Sequence, residues 1–161
     1  MSAARFVRAS WSVRACEIAT GVILAWAGLA KIGDLATFAG QIHNFRILPV
    51  AFENLAAMTL PWIEIVVALT LLFGIRSRDG ARTALVLLVV FTLAVVAAVA
   101  RGLDIECGCF GTADASHVGW RKIAENLGMI AIAAVAARGP ALPLTERLSG
   151  AARLETGDAR P

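Results

Sequence analysis

Along the chain, apolar residues gather into four long runs, and most charged residues fall in the islands between them. The runs cover about residues 16–31 (CEIATGVILAWAGLAK), 60–75 (LPWIEIVVALTLLFGI), 83–100 (TALVLLVVFTLAVVAAVA) and 118–137 (VGWRKIAENLGMIAIAAVAA). A membrane-spanning helix needs about 20 residues, and the second and third runs are the ones expected to span outright. The first and fourth carry charges near one end and need those side chains to snorkel toward the interface. Pro61 is expected in the first turn of the second helix, where its missing N–H costs nothing. Composition fits the pattern: 58% of the 161 residues are apolar and 17% are charged, and the mean hydropathy is +0.74, against about 25% charged residues in soluble domains. The expected fold is all-α, an integral membrane four-helix bundle over residues 1–137, followed by a disordered cytoplasmic tail, 138–161.

Arginine placement orients the spans, because cytoplasmic loops keep the excess of Lys and Arg. Arg5, Arg8 and Arg14 precede the first run without an acid. Arg76, Arg78 and Arg82 face only Asp79 in the second loop, and Arg138, Arg147, Arg153 and Arg160 follow the last run. The loop 31–53 is nearly balanced, and the loop 101–116 sets Arg101 against Asp104, Glu106 and Asp114. Both termini are therefore expected in the cytoplasm of a multi-pass protein of the bacterial inner membrane, with those two loops on the periplasmic or extracellular side. The net charge of +3 follows from this topology, and no nucleic-acid role is expected. Run one also has the basic flank and small residues of a signal peptide, but the later runs would still span. Cys16 reads most simply as a buried helix residue.

The outer loop holds the stretch DIECGCFGT, with Cys107 and Cys109 one residue apart. Two residues of extended chain cover about 6.6–7.2 Å, whereas a disulfide joins Cα atoms about 4.4–6.8 Å apart. Closing the pair requires a bend, which Gly108 can supply through positive φ; Gly111 offers a second after Phe110. So small a ring removes little chain entropy and staples the fold weakly, which favours a bond used for exchange. A static local clip and a two-coordinate Cu(I) site are the alternatives. A zinc site lacks a second cysteine pair, and no metal ligand is assigned.

Charges inside spans usually face the bundle interior in pairs. Lys31 closes the first run, Glu64 lies one turn into the second and Glu125 starts the fourth, all at one depth. The expected arrangement pairs Lys31 with Glu64, with Glu125 and Asn126 nearby, beneath the Cys-Gly-Cys loop. Interfacial anchoring is the alternative for Lys31 and Glu125, and Glu17 is expected at the inner interface. His43 and Arg46 could lie over the cysteines and stabilise a thiolate, or be solvated. Trp26, Trp62 and Trp120 fit an interface belt.

The segments WAGLAKIGDLATF, FRILP, LPWIEIVVALTLLFGI and ARGLDIECGCFG resemble, in order and spacing, the methylamine utilisation protein MauE family of the DoxX-like superfamily. The matching units are Ala27, Gly28 and Lys31; Leu60, Pro61 and Glu64; and the box Cys107, Gly108, Cys109, Phe110 and Gly111. The resemblance implies a four-helix membrane protein that assists maturation of disulfide-containing periplasmic clients, such as the methylamine dehydrogenase small subunit, with a thioredoxin-like partner. The cysteine pair would be its redox centre. No cofactor motif is present; a quinone between the helices is one conceivable electron acceptor, with no binding residue to name. A scaffold for the thioredoxin-like protein, and a copper or small-solute transporter, are the competing function classes.

Overall fold

A computed structural model describes residues 3–108 and 117–139, with side chains from Trp11 onward. Cys109, Phe110, Gly111 and nearly all of the tail 138–161 lie outside the described residues. Five helices follow in order: α1 Ala3–Gly33, α2 Leu35–Phe45, α3 Val50–Phe73, α4 Ser77–Ala100 and α5 Trp120–Ala137. Among the described residues there is no strand, only one isolated antiparallel bridge between Glu106 and His117. α1 packs mainly on α3 and α4 mainly on α5, with further contacts between α1 and α5 and between α3 and α4.

Among the described residues, three helices are long and apolar enough to cross a membrane: Trp11–Gly33, Val50–Phe73 and Ser77–Ala100. The fourth expected span does form a helix, α5, but Arg121, Lys122 and Glu125 crowd its first half and keep it out of that group. All the helices at the expected spans except α5 are longer than the apolar runs, because helix continues through their charged flanks. One consequence is that Pro61 lies in the interior of α3 rather than in its first turn. It has no N–H to give the Ala57 carbonyl. The first turn instead begins after Pro49, with Glu53 at the favourable end of the helix dipole.

Among the described residues, the interior is rich in alanine. Ala27, Ala57, Ala68, Ala81, Ala84, Ala98, Ala133 and Ala136 are buried, while Val22, Trp26, Leu29, Trp62, Val66, Phe73, Val86, Val90 and Leu93 are exposed. Water would penalise that distribution, whereas hydrocarbon does not, and helices in lipid associate through close packing of small residues. The α1–α3 contact shows the effect. A Cβ on Gly21 would come within 3.0 Å of Leu72, and one on Gly28 within 3.0 Å of Ile65 and of the Pro61 carbonyl oxygen. The two glycines are seven residues apart, so they lie on one face of α1 and set an antiparallel register.

Gly28→Val is therefore expected to lower stability by about 1–3 kcal/mol through overpacking. Gly128→Ala, at a helical site open for at least 4 Å, should be neutral or stabilising by up to about 1 kcal/mol. Thermal unfolding in detergent, read by loss of helical circular dichroism, checks both.

Candidate functional site

The first expected contact is present. Lys31 Nζ lies 2.8 and 2.9 Å from the two oxygens of Glu64, and both side chains are 1% exposed. The α1–α3 register brings them together from positions 33 residues apart. The ammonium also faces the rings of Phe38 on α2 and Phe91 on α4, with centroids 5.5 and 5.4 Å away. Two carboxylate oxygens and two aromatic faces replace the water that the cation has lost.

α2 is the element the pattern of long runs did not reveal; the loop 31–53 carries it. Asp34 caps it, accepting from the Thr37 backbone N–H at 3.0 Å and from the Thr37 hydroxyl at 2.7 Å. These bonds hold the Asp34 carboxyl below the usual aspartate range. Phe38 and Gln41 are its buried residues, one helical turn apart on one face. The spacing of Leu35, Phe38, Ile42 and Phe45 after a capping Asp was a readable signal, hidden by the short length of the segment.

Through that face α2 joins the ion pair to the cysteine loop. Phe38 covers Lys31, and Gln41 Nε2 donates to Glu106 Oε2 at 3.2 Å. Gly108 has φ +65°, and a Cβ there would lie 2.6 Å from Gln41 Oε1. Both the bend and the contact thus require glycine. Cys107 is buried and disulfide-bonded, in a cluster with Val95 of α4 and Ile123 of α5, flanked by Phe45 and Val118. Cys16 is a free thiol in α1 and is only partly buried, not buried as expected.

Backbone and charge close the base of the loop. Val118 N–H donates to the Ile105 carbonyl at 2.9 Å beside the Glu106–His117 bridge. Arg101, at the end of α4, donates to the Phe45 and Arg46 carbonyls at the C-terminus of α2, where the helix dipole favours a cation. Arg46 takes the left-handed cap conformation, φ 50°, and is exposed. His43 is 61% exposed, with Nδ1 3.0 Å from Oε2 of the buried Glu53. His43 and Arg46 are therefore engaged in positioning α2 against α3 and in ending α2.

Glu125 is 42% exposed and bonds Arg121 at 3.0 Å and Lys122 at 3.1 Å, its neighbours at i−4 and i−3 on the same helix. Asn126 is buried, as is Lys122, four residues before it on the same face of α5. Glu17 is fully buried instead of interfacial. It takes a 3.0 Å bond from Arg14, whose guanidinium also caps α3 by donating to the Leu71 and Leu72 carbonyls at 2.7 and 2.6 Å. Trp26, Trp62 and Trp120 are all exposed, as a belt position requires. Among the described residues, no three His, Cys, Asp or Glu side chains gather as a metal site.

Three apolar spans, a small-residue interior and a buried disulfide cysteine resting on a short capping helix define an α-helical membrane protein with a cysteine loop at one end. The family model described as methylamine utilisation protein MauE matches residues 9–139, and the chain belongs to that family. It is 34% identical over 145 residues to the methylamine utilization protein MauE of Paracoccus denitrificans, covering 87% of this chain and 76% of that one. The protein of the same name from Paracoccus versutus is 36% identical over 148 residues, covering 91% and 76%. That from Methylorubrum extorquens is 33% identical over 109 residues, covering 67% and 59%. No solved structure matches.

Replacing Lys31 or Glu64 alone, as Lys31→Met or Glu64→Leu, strands a buried charge and should cost about 3–5 kcal/mol; the double replacement should recover part of it. Folded yield and thermal midpoint in detergent measure the coupling, and additive losses would show that the two charges do not interact.

Proposed function

We propose that this protein is a membrane-embedded thiol-disulfide accessory factor that assists maturation of disulfide-containing periplasmic proteins, the chemistry residing in Cys107 and Cys109. The observation that carries it is the disulfide-bonded Cys107 in a loop turned by a left-handed Gly108. A cysteine pair separated by one residue contributes little to fold stability, so its value lies in exchange. In one turnover the thiolate of a reduced client or of a thioredoxin-like partner attacks one sulfur and the protein disulfide opens. The second client thiol then resolves the mixed disulfide. The client gains a disulfide, and two electrons and two protons remain on Cys107 and Cys109.

Arginine asymmetry supports placing this loop on the periplasmic side of the bacterial inner membrane with both termini inside, α5 serving as the fourth span. There disulfides persist. The relatives' names extend the proposal to a client in methylamine utilisation, such as the methylamine dehydrogenase small subunit. Reoxidation requires an acceptor, and a quinone in the bilayer is the class proposed.

Two measurements test the proposal. A variant retaining only Cys107 or only Cys109 should trap a mixed disulfide, seen on non-reducing gels and identified by mass spectrometry. The double serine variant should accumulate at wild-type level yet leave the client unmatured; normal client maturation in that strain would instead favour a scaffold role. For topology, a cysteine placed at the exposed Asn44 should react with an impermeant maleimide on spheroplasts, and one at Arg82 only after permeabilisation.

A further inference from the structure

Gln41 sits directly under the middle residue of the cysteine loop, and its two amide atoms are treated unequally. The Glu106 carboxylate only accepts hydrogen bonds, so the amide nitrogen faces it, at 3.2 Å. The carbonyl oxygen is thereby turned toward Gly108, so close that a Cβ there would lie 2.6 Å away. Gln41 is 4% exposed, and its Oε1 finds no hydrogen-bond partner among the described residues. An unpaired buried acceptor is costly, and native structures rarely leave one without a reason. Cys107, the neighbour of Gly108, is in the disulfide form, and a disulfide has no hydrogen to donate.

We infer that Gln41 is a positioning residue that biases the cysteine pair toward its dithiol form, its Oε1 accepting the S–H that Cys107 acquires on reduction. The inference rests on the reading that the pair cycles, and adds the direction in which the protein tunes it. Reduction by glutathione balances as one protein disulfide and two glutathione thiols giving two protein thiols and one glutathione disulfide. The S–S bond breaks, and the two electrons and two protons come from glutathione. One of the new S–H groups then meets the waiting oxygen. Removing the oxygen acts on both sides of the equilibrium: the disulfide form sheds an unpaired acceptor, and the dithiol form loses a bond. Both changes favour the disulfide. Gln41 thus makes the loop a stronger oxidant of its clients than the same loop on an apolar support.

The test is a glutathione redox titration of the full-length protein in detergent, in a Cys16→Ser background, read by alkylation gel shift. Gln41→Leu should raise the [GSH]²/[GSSG] ratio at half-reduction about tenfold, the size of one net buried hydrogen bond, or about 30 mV toward more negative potential. Gln41→Met, which keeps the length of the side chain with only a weak acceptor, should shift it in the same direction by less. An unchanged midpoint, or a shift toward easier reduction, overturns the role of Gln41 while leaving the cycling pair intact. Failure of the wild-type pair to reduce at any ratio overturns both. A readout that needs no variant at Gln41 is the infrared S–H stretch of the reduced protein. A band displaced to lower frequency from that of an unbonded thiol supports the hydrogen bond, and bands only at the unbonded position overturn it.

Discussion

The Lys31–Glu64 ion pair is the interaction on which the cysteine-loop half of this structure depends. A lysine and a glutamate each 1% exposed have surrendered almost all their hydration, and in a bilayer neither can recover it from solvent without unpacking the helices. The pair forms only because α1 and α3 approach closely, and they do so because Gly21 and Gly28 have no side chains to hold Leu72, Ile65 and the Pro61 carbonyl away. Once formed, the pair fixes the end of α1. Phe38 of α2 and Phe91 of α4 then close over the ammonium.

From that fixed end the chain builds a support for the cysteines. Asp34 starts α2 immediately after α1, and one face of that short helix meets the ion pair through Phe38 and the loop through Gln41. Arg101 binds the far end of α2 from α4, and Glu53 holds His43 from α3. The helix is thus tied to three neighbours, and Cys107 is packed against α4 and α5. Cys107 therefore rests on elements that are also held by contacts of their own.

The opposite end is organised by the same physics with different groups. Arg14 donates to the Leu71 and Leu72 carbonyls at the C-terminus of α3 and to the buried Glu17. Polar groups therefore close the α1–α3 hairpin at both ends, and the middle is left to small apolar residues.

The sequence by itself determined the membrane class, the three long spans, the Lys31–Glu64 pairing and the need for a bend at Gly108, because hydropathy, intramembrane charge and backbone freedom are local properties. Tertiary structure decided the rest. α2 is too short to stand out from a loop by hydropathy, and it becomes legible only when its buried face has partners. Glu17 looked interfacial because its position along the span is near the end, yet it is fully buried and bonded by Arg14. The partners of Glu125, Arg121 and Lys122 on its own helix, depend on side-chain placement around α5, which sequence position alone does not give. Gln41 carries no charge and belongs to no motif. Its place beneath Gly108 arises only when α2 folds over the ion pair and the loop folds over α2.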